Sequence, residues 1–460
     1  MAESNNLDYM AEDMPENEQY FTTDYSESKG NNDGWWVALL LMCIVFGPRT
    51  APGSALPPVR LSDFLVFFML IIRWQKTHAL YGGFLFSPRI RLFSIFMFIL
   101  AGVLTFSTIL GTLGGRYPFY IKNYFIPLVF IQSAVIAAIT ASFTFGHKQT
   151  MQLAKGVLFI SAIASVFSLV QRFTPYLLSG LVERFYSIDY ESLDIATEGT
   201  GSRVVGTFGN PNVWGACLVM LGSISIPTFI HMKGVIKLAA LIVYMITGLA
   251  ILYTTGSRSS VIALMAVSIF AIILSFRGKA IIWILIAAPL LFFFFLWIRA
   301  NVDSIPINPR MKDFIKGEQT IDEGIASRYS LWQGSLDAIE GSYIFGVGGS
   351  YLSIRAQLSD NGYIQMLLRT GLVGLGVYLL MLIGLLFRGV KAFLREKESY
   401  FRCLMLLSLM VLVCHMLFEI VADFFFSVQY TAMLGVFMGL LCSSLRASID
   451  ADSSQYYNLI

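Results

Sequence analysis

The chain has 460 residues, of which 56% are hydrophobic and only 13% are charged. Soluble domains carry about 25% charged residues, so this composition excludes an ordinary soluble enzyme and predicts a protein that crosses a membrane several times. The formal net charge is +3, but the two signs are unevenly distributed along the chain.

The first 33 residues are strongly acidic, with Lys29 as their single base. They lack a positive segment followed by a small-residue cleavage site, which argues against a secretory signal. We interpret residues 1–33 as a disordered, solvated cytoplasmic tail, with a docking segment for a partner as the alternative.

Twelve apolar runs of roughly helical length follow this tail. They predict an all-α, polytopic integral membrane protein with about 12 transmembrane helices. Prolines between the first two runs forbid one continuous helix there, so these two could instead form a re-entrant pair. The predicted spans are 35–47, 61–73, 92–113, 120–143, 153–171, 212–231, 235–253, 259–276, 280–298, 362–387, 401–420 and 424–445.

Lys and Arg residues assign the sides of the membrane. With the N-terminus inside, all five inside links are basic, as the positive-inside rule requires. We therefore predict that both termini are cytoplasmic and that the two long polar loops face the periplasm. The predicted parts are the tail 1–33, helices 1–9 in 34–298 with a periplasmic loop at 172–211, a large periplasmic loop at 299–361, helices 10–12 in 362–445, and a cytoplasmic tail at 446–460.

Cysteine and histidine do not indicate a metal site. The five cysteines all lie inside apolar runs, no two of them show metal-ligand spacing, and the four histidines are scattered. The expected number of metal ions at the working site is therefore none.

Three predicted helices begin on the outer side with residues that suit a helix N-terminus. Asn210 precedes Pro211, which suits the first helical position, and the other two starts are TGSRSS at 255–260 and SDN at 359–361. Helix N-termini offer backbone N–H groups and a partial positive charge to an anion.

Five arginines lie near these helix starts, on the side where the charge rule disfavours them. Guanidinium groups bind phosphate bidentately and keep their proton, which suits a polyanionic head group at a membrane surface. The alternative for each arginine is an ion pair with an acidic residue of the loops. The five are Arg203, Arg258, Arg328, Arg355 and Arg369.

Arg369 continues a polar stripe, because Asn361, Gln365 and Arg369 recur every four residues along one predicted helix. An ionisable residue inside a membrane-spanning helix needs a cavity or a partner. Glu419 and Asp423 are the candidate partners, either in a buried structural ion pair or in the wall of a lipid-facing cavity.

Asp360 is the best candidate for a general acid or base, since it lies between the large loop and a helix start. Its alternative role is that of a helix cap. The glycines in GVGG at 346–349 permit a tight turn but lack the Lys of a phosphate-binding loop, so they are a weak nucleotide signal.

Five motifs occur in order between about residues 203 and 380. They are RVVGTFGNPNVWG at 203–215, TGSRS at 255–259, RYSLW at 328–332, GVG at 346–348 and DNGYIQMLLRTGLVG at 360–374. Together they resemble the O-antigen ligase and Wzy-type polysaccharide polymerase superfamily.

The resemblance implies a metal-independent glycosyltransferase of the GT-C type that uses no cofactor and no nucleotide sugar. Such enzymes transfer a glycan from a polyprenyl pyrophosphate such as undecaprenyl pyrophosphate to an acceptor hydroxyl at the periplasmic face of the bacterial inner membrane. Carried onto this chain, Arg203 and Arg258 would hold the pyrophosphate and Asp360 would deprotonate or orient the hydroxyl.

The remaining predicted contacts to pyrophosphate or glycan complete the site. The expected partners of the protein are lipid-linked glycans and the bilayer, with a flippase and a length-regulating protein as further candidates. No nucleic-acid partner is expected. The residues expected to make these contacts are Arg328, Arg355, Asn212, Asn361, Tyr363 and Arg369.

One departure from the superfamily pattern directs the choice of reaction. Ligases typically have His before the Asn of the last motif, whereas this chain has Asp360. We therefore predict a polymerase of O-antigen or exopolysaccharide repeat units, with a ligase that transfers the glycan to lipid A-core as the alternative. A polysaccharide or lipid transporter that uses Arg369, His415 and Glu419 is the alternative from another class.

Overall fold

The computed structural model describes residues 32–48, 59–81, 91–119, 121–143, 145–174, 186, 203–279, 282, 293, 296–304, 309–317, 321–349 and 360–457. Over these residues the chain is helical and has no β-strand. The α-helices are α1 Asp33–Phe46, α2 Leu61–Tyr81, α3 Arg91–Leu113, α4 Ile126–Ala141, α5 His147–Phe173, α6 Pro211–Gly222, α7 Ser225–His231, α8 Ile236–Ala250, α9 Arg258–Phe276, α10 Pro309–Lys316, α11 Ile321–Ala338, α12 Gly362–Arg395, α13 Ser399–Phe418 and α14 Val428–Tyr457.

Eight helical segments are long and apolar enough to cross a membrane, and three shorter apolar helices accompany them among the described residues. The prediction of an all-α polytopic membrane protein is thereby confirmed. The predicted span 280–298 lies mostly outside the described residues, so the number of twelve spans stays a prediction.

Several helices end at places that the hydropathy pattern does not show. The predicted span 212–231 is divided into α6 and α7, where Pro227 cannot donate the backbone hydrogen bond that a continuous helix needs. The predicted span 235–253 passes into a π-helical turn, Ile251–Thr255. The predicted tail 446–460 is helical through Tyr457 as the end of α14.

The core is built by close helix packing. α14 packs along α4, and a methyl group at Gly435 or Gly439 would lie 2.7 Å and 2.5 Å from the carbonyl oxygens of Ser133 and Ala137. Small residues of this kind let membrane helices approach closely. α13 packs against α6, α9 and α12, so it separates and supports the helices that carry the motifs.

The helices place two sets of connections at opposite ends of the bundle. At the end that we call the motif face, Thr207 donates to Val45 O at the end of α1, and Asn361 donates to Ile420 O after α13. At the other end, the basic face, Ser399 donates to His231 O and Arg277 donates to Leu394 O. The starts of α6 and α12 lie at the motif face, and the described basic links around Lys233, Arg277 and Lys397 lie at the basic face.

Candidate functional site

Arg203 joins the starts of α6 and α9. Its Nε donates to Thr255 O at 2.8 Å, and its Nη2 donates to Asn212 Oδ1 at 2.6 Å. The amide of Val204 donates to Thr254 O at 3.0 Å. The first two motifs, which are more than forty residues apart in the chain, therefore meet around one guanidinium group.

The start of α6 has the cap that the sequence predicts. Asn210 Oδ1 accepts from the amides of Asn212 and Val213 at 2.8 Å and 3.3 Å, and Pro211 occupies the first helical position. Trp214 is fully buried and donates to Ser168 Oγ at 2.7 Å. The polar start of α6 is thereby anchored to α5 by a buried side chain.

Arg258 is the first residue of α9, and its side chain is exposed at the motif face. The expected side-chain cap is wrong here. Ser257 occupies the N-cap position without a side-chain cap bond, and its hydroxyl instead bonds that of Ser259 at 2.9 Å. The hydroxyl of Ser257 therefore does not cover the first amides of α9.

Gly215 sets the distance between α6 and α9. A methyl group at this position would overlap Ser260 Oγ and would lie 3.5 Å from Ser257 Cβ. Only a residue without Cβ permits this approach of the two helices. Gly215 therefore determines how near Arg258 comes to Arg203, Asn212 and Thr255, which we call the Arg203 cluster.

Asp360 is held by two side chains of α11. Its Oδ2 lies 2.9 Å from Arg328 Nε in an ion pair, and its Oδ1 accepts from Trp332 Nε1 at 3.1 Å. Arg328 and Trp332 are four residues apart, so they lie on the same face of the helix. Both charged side chains remain about one-third exposed, which leaves the pair accessible from the motif face.

The helix cap beside Asp360 is Asn361. Its Oδ1 accepts from the amide of Ile364 at 3.1 Å, and its Nδ2 donates to Ile420 O at 2.9 Å. The alternative role of Asp360 as the cap of α12 is therefore wrong. Because Asn361 performs the capping, the carboxylate of Asp360 is directed to α11.

Tyr363 and the backbone of Gly362 attach the start of α12 to the end of α13. The hydroxyl of Tyr363 donates to Met416 O at 2.9 Å, and the amide of Gly362 donates to Glu419 O at 2.7 Å. The structure thus places the Tyr363 hydroxyl on a neighbouring helix. The predicted contact of Tyr363 with a glycan stays a prediction.

Arg369 continues the predicted polar stripe, with its Nε donating to Gln365 Oε1 at 3.3 Å. Its Nη2 lies 3.8 Å from Asp423 Oδ2, and its guanidinium lies 4.1 Å from the ring centre of Phe426. The side chain is largely buried. The predicted pairing with Asp423 is confirmed, and the arrangement is that of a buried structural ion pair.

Glu419, the other predicted partner of Arg369, belongs to a separate buried network. Its Oε1 accepts from the amide of Phe424 at 3.2 Å and lies 3.7 Å from His415 Nδ1. His415 Nε2 and Tyr378 Oη are 2.7 Å apart, and Tyr430 Oη lies 3.2 Å from His415 Nδ1. These groups are fully buried, so they stabilise the packing of α12, α13 and α14.

The predicted site residues therefore fall into two clusters at the motif face and one buried pair. Arg203, Asn212 and Arg258 lie at the starts of α6 and α9, while Arg328 and Asp360 lie between α11 and α12. α13 packs against α6, α9 and α12 and so connects the two clusters. Arg369 forms the buried pair with Asp423. Arg355 lies outside the described residues.

Trp332 is the site residue whose role the sequence reasoning missed. The motif RYSLW contains Trp332 without indicating a function for it, whereas in the structure its indole N–H binds Asp360. The signal was available, because the spacing of Arg328 and Trp332 matches one helical turn. A helix assignment for residues 321–338 would have placed both side chains beside one acceptor.

Comparison with known proteins gives one family match. Residues 243–379 match the family model described as O-Antigen ligase, a region that includes Arg258, Arg328 and Asp360. The resemblance read from the motifs is confirmed over this region, while Arg203 and Asn212 precede it. No curated protein matches the chain.

Proposed function

We propose that this chain is a polysaccharide polymerase that transfers a glycan from polyprenyl pyrophosphate to the hydroxyl of a lipid-linked repeat unit. The observation that carries the proposal is the pairing of Asp360 with Arg328 and Trp332 within a region that matches the O-antigen ligase family. The family match supports glycosyl transfer of the ligase or polymerase type, and the choice of acceptor is our proposal.

The donor side of the reaction is assigned to the Arg203 cluster. Arg203 and Arg258 bring two permanent positive charges to the starts of α6 and α9, where helix N-termini also favour an anion. The pyrophosphate gains negative charge as its bond to the sugar breaks, so cations fixed beside it stabilise the leaving group. Asn212 holds Arg203 in place through its side-chain oxygen.

The acceptor side is assigned to Asp360. As the acceptor oxygen forms its bond to the anomeric carbon of the donor sugar, the bond from that carbon to the pyrophosphate oxygen breaks and the hydroxyl proton passes to a base. The bonds from Arg328 and Trp332 fix the orientation of the Asp360 carboxylate. A carboxylate held this way can orient the hydroxyl and accept its proton as the new bond forms.

A ligase is the second candidate, because the matching family model is described as O-Antigen ligase. We favour the polymerase because Asp360 occupies the position where ligases typically have His. The membrane orientation belongs to the same proposal. The basic face would be cytoplasmic by the positive-inside rule, and the motif face would be periplasmic in the bacterial inner membrane.

Replacing Arg258 with Ala in the producing cell tests the proposal. We expect long surface polymer to disappear while single repeat units remain and the amount of protein in the membrane is unchanged. Lys279→Ala, which removes the same charge from the basic face, is the control. Polymer of normal length that is also attached normally in Arg258→Ala would refute the site, whereas polymer of normal length that fails to reach a second acceptor would indicate a ligase.

A further inference from the structure

α12 is interrupted at Gly371. Another segment of the chain packs at this interruption. Gly371 has φ 66° and ψ −167°, a backbone conformation that is essentially restricted to glycine. The break leaves backbone groups of α12 without partners inside the helix. At membrane depth such groups must find partners elsewhere in the protein.

Residues 343–349, which we call the inserted segment, supply those partners. The amides of Val347 and Gly348 donate to the carbonyl oxygens of Leu368 and Arg369 at 2.8 Å and 3.1 Å. On the far side of the break, the amide of Leu372 donates to the carbonyl oxygen of Tyr343 at 2.8 Å. The segment therefore replaces the missing part of the helical hydrogen-bond ladder.

The inserted segment is fastened on its other side by α3 and the residues that follow it. Tyr117 Oη lies 2.9 Å from Val347 O and 3.1 Å from Thr108 O, and the amide of Gly349 donates to Thr108 Oγ1 at 2.9 Å. A methyl group at Gly111 or Gly348 would overlap the Tyr117 hydroxyl. Two glycines thus leave room for one buried hydroxyl group.

The Tyr117 hydroxyl remains a donor throughout the physiological pH range. The ring is almost completely buried, and burial raises the pKa of Tyr117 to about 12. The protonated hydroxyl can therefore donate its one hydrogen to Val347 O, while Thr108 O also accepts from Thr112 Oγ1. Removal of the hydroxyl would take this donor from the buried carbonyl oxygen of Val347.

The inserted segment also joins the two helices that hold the acceptor site. It follows α11, which carries Arg328 and Trp332, and it is bound to α12, which starts beside Asp360. A small apolar cluster of Ile339, Val347 and Leu368 packs the end of α11 against α12 through the segment. The relative position of α11 and α12 therefore depends on how firmly the segment is held.

We propose that Tyr117 is a positioning residue that locks the inserted segment between α3 and the break in α12, and thereby sets the geometry of Asp360 with α11. This inference rests on the proposed function for its effect on catalysis. Tyr117 lies outside the family-matched region and outside all five motifs. A residue in the segment that follows α3, which no motif indicates, would thus support the proposed acceptor site.

The test removes one oxygen atom by Tyr117→Phe and compares it with Tyr124→Phe. Tyr124 ends the 3₁₀ turn Ile121–Tyr124 that follows Tyr117, and its hydroxyl makes no hydrogen bond among the described residues. In Tyr117→Phe we expect faster hydrogen exchange at the amides of Val347 to Gly349. We also expect kcat for polymerisation to fall about tenfold with KM for the donor unchanged, because the donor cluster lies on other helices.

Tyr124→Phe should match the wild type in both measurements. Unchanged hydrogen exchange in Tyr117→Phe would show that Tyr117 does not hold the inserted segment in place. Faster exchange with unchanged kcat would show that Tyr117 has no positioning role in catalysis. An equal rise in KM for the donor would indicate a general structural defect. If the wild type forms no glycosidic bond while exchange behaves as expected, the proposed function fails and the lock stands.

Discussion

At the scale of single residues, two bonds hold Asp360 at the position that we propose for the acceptor site. Arg328 supplies charge, and Trp332 supplies a neutral N–H that fixes the second carboxylate oxygen. Since hydrogen bonds to charged groups contribute about 1.5–3 kcal/mol, either donor should matter for the orientation of the carboxylate.

Trp332→Phe isolates the orienting effect, because it removes the indole N–H and keeps an aromatic ring. We expect the polymerisation rate to fall about tenfold, since the carboxylate then rotates more freely. The measurement is the initial rate of glycosidic bond formation at equal protein. Tyr329→Phe, next to Arg328 and exposed, is the control, and equal rates in wild type and Trp332→Phe would remove Trp332 from the site.

Asp423 makes stability depend on pH. Burial raises its pKa from 3.8 to about 6, although Arg369 opposes this change. The 3.8 Å separation of that pair exceeds a hydrogen-bond length, so burial prevails. Because the folded protein holds the proton more tightly than the unfolded chain, the stabilisation from Asp423 is fully present below pH 3.8 and is lost as pH rises through about 6.

The pH effect is measured by thermal unfolding in detergent between pH 4 and pH 7. The melting temperature of the wild type should fall relative to that of Asp423→Asn as pH rises through this interval. In Asp303→Asn, a change at an exposed residue, the melting temperature should vary with pH as it does in the wild type. A difference between wild type and Asp423→Asn that is constant from pH 4 to pH 7 would contradict the assignment.

At the scale of helices, we expect the distance between α6 and α9 to decide whether Arg203 and Arg258, the proposed donor cluster, come together. Gly215→Ala places a methyl group against Ser260 Oγ, which should move the start of α9 and lower activity about tenfold through weaker donor binding. Ser260 Oγ has no hydrogen-bond partner among the described residues. Removing that oxygen should therefore cost little.

The double variant Gly215→Ala, Ser260→Ala is the decisive comparison at this scale. Without the Ser260 hydroxyl, the new methyl group would lie 3.2 Å from the remaining Cβ, so most of the lost activity should return. Ser260→Ala alone should resemble the wild type. A double variant as impaired as Gly215→Ala would show that the spacing of these two helices does not control the donor cluster.

Local sequence signals predicted part of this architecture. The cap at Asn210, the stripe from Asn361 to Arg369 and the helical nature of the chain all follow from spacing along one helix. The partner of Asp360 on α11 and the lock at Tyr117 depend on contacts between distant parts of the chain. Val347 is 230 residues from Tyr117, and no periodic pattern connects them.

At the scale of the whole molecule, the proposed function requires the motif face to be periplasmic. Phe119 is exposed near that face and Val235 is exposed at the basic face. In a variant without the five native cysteines, Phe119→Cys should react with a membrane-impermeant maleimide in cells with a permeable outer membrane. Val235→Cys should react only after the inner membrane is opened, and the reverse pattern would invert the proposed topology.

On the function proposed above, this chain forms glycosidic bonds from lipid-linked glycans at the motif face. The most direct measurement places the purified protein in liposomes with polyprenyl-pyrophosphate-linked repeat units and follows both products. We predict longer glycans, one released polyprenyl pyrophosphate for each bond formed, and loss of both in Asp360→Asn. Movement of lipid-linked units across the bilayer without any new bond, or full polymerisation by Asp360→Asn, would contradict the account.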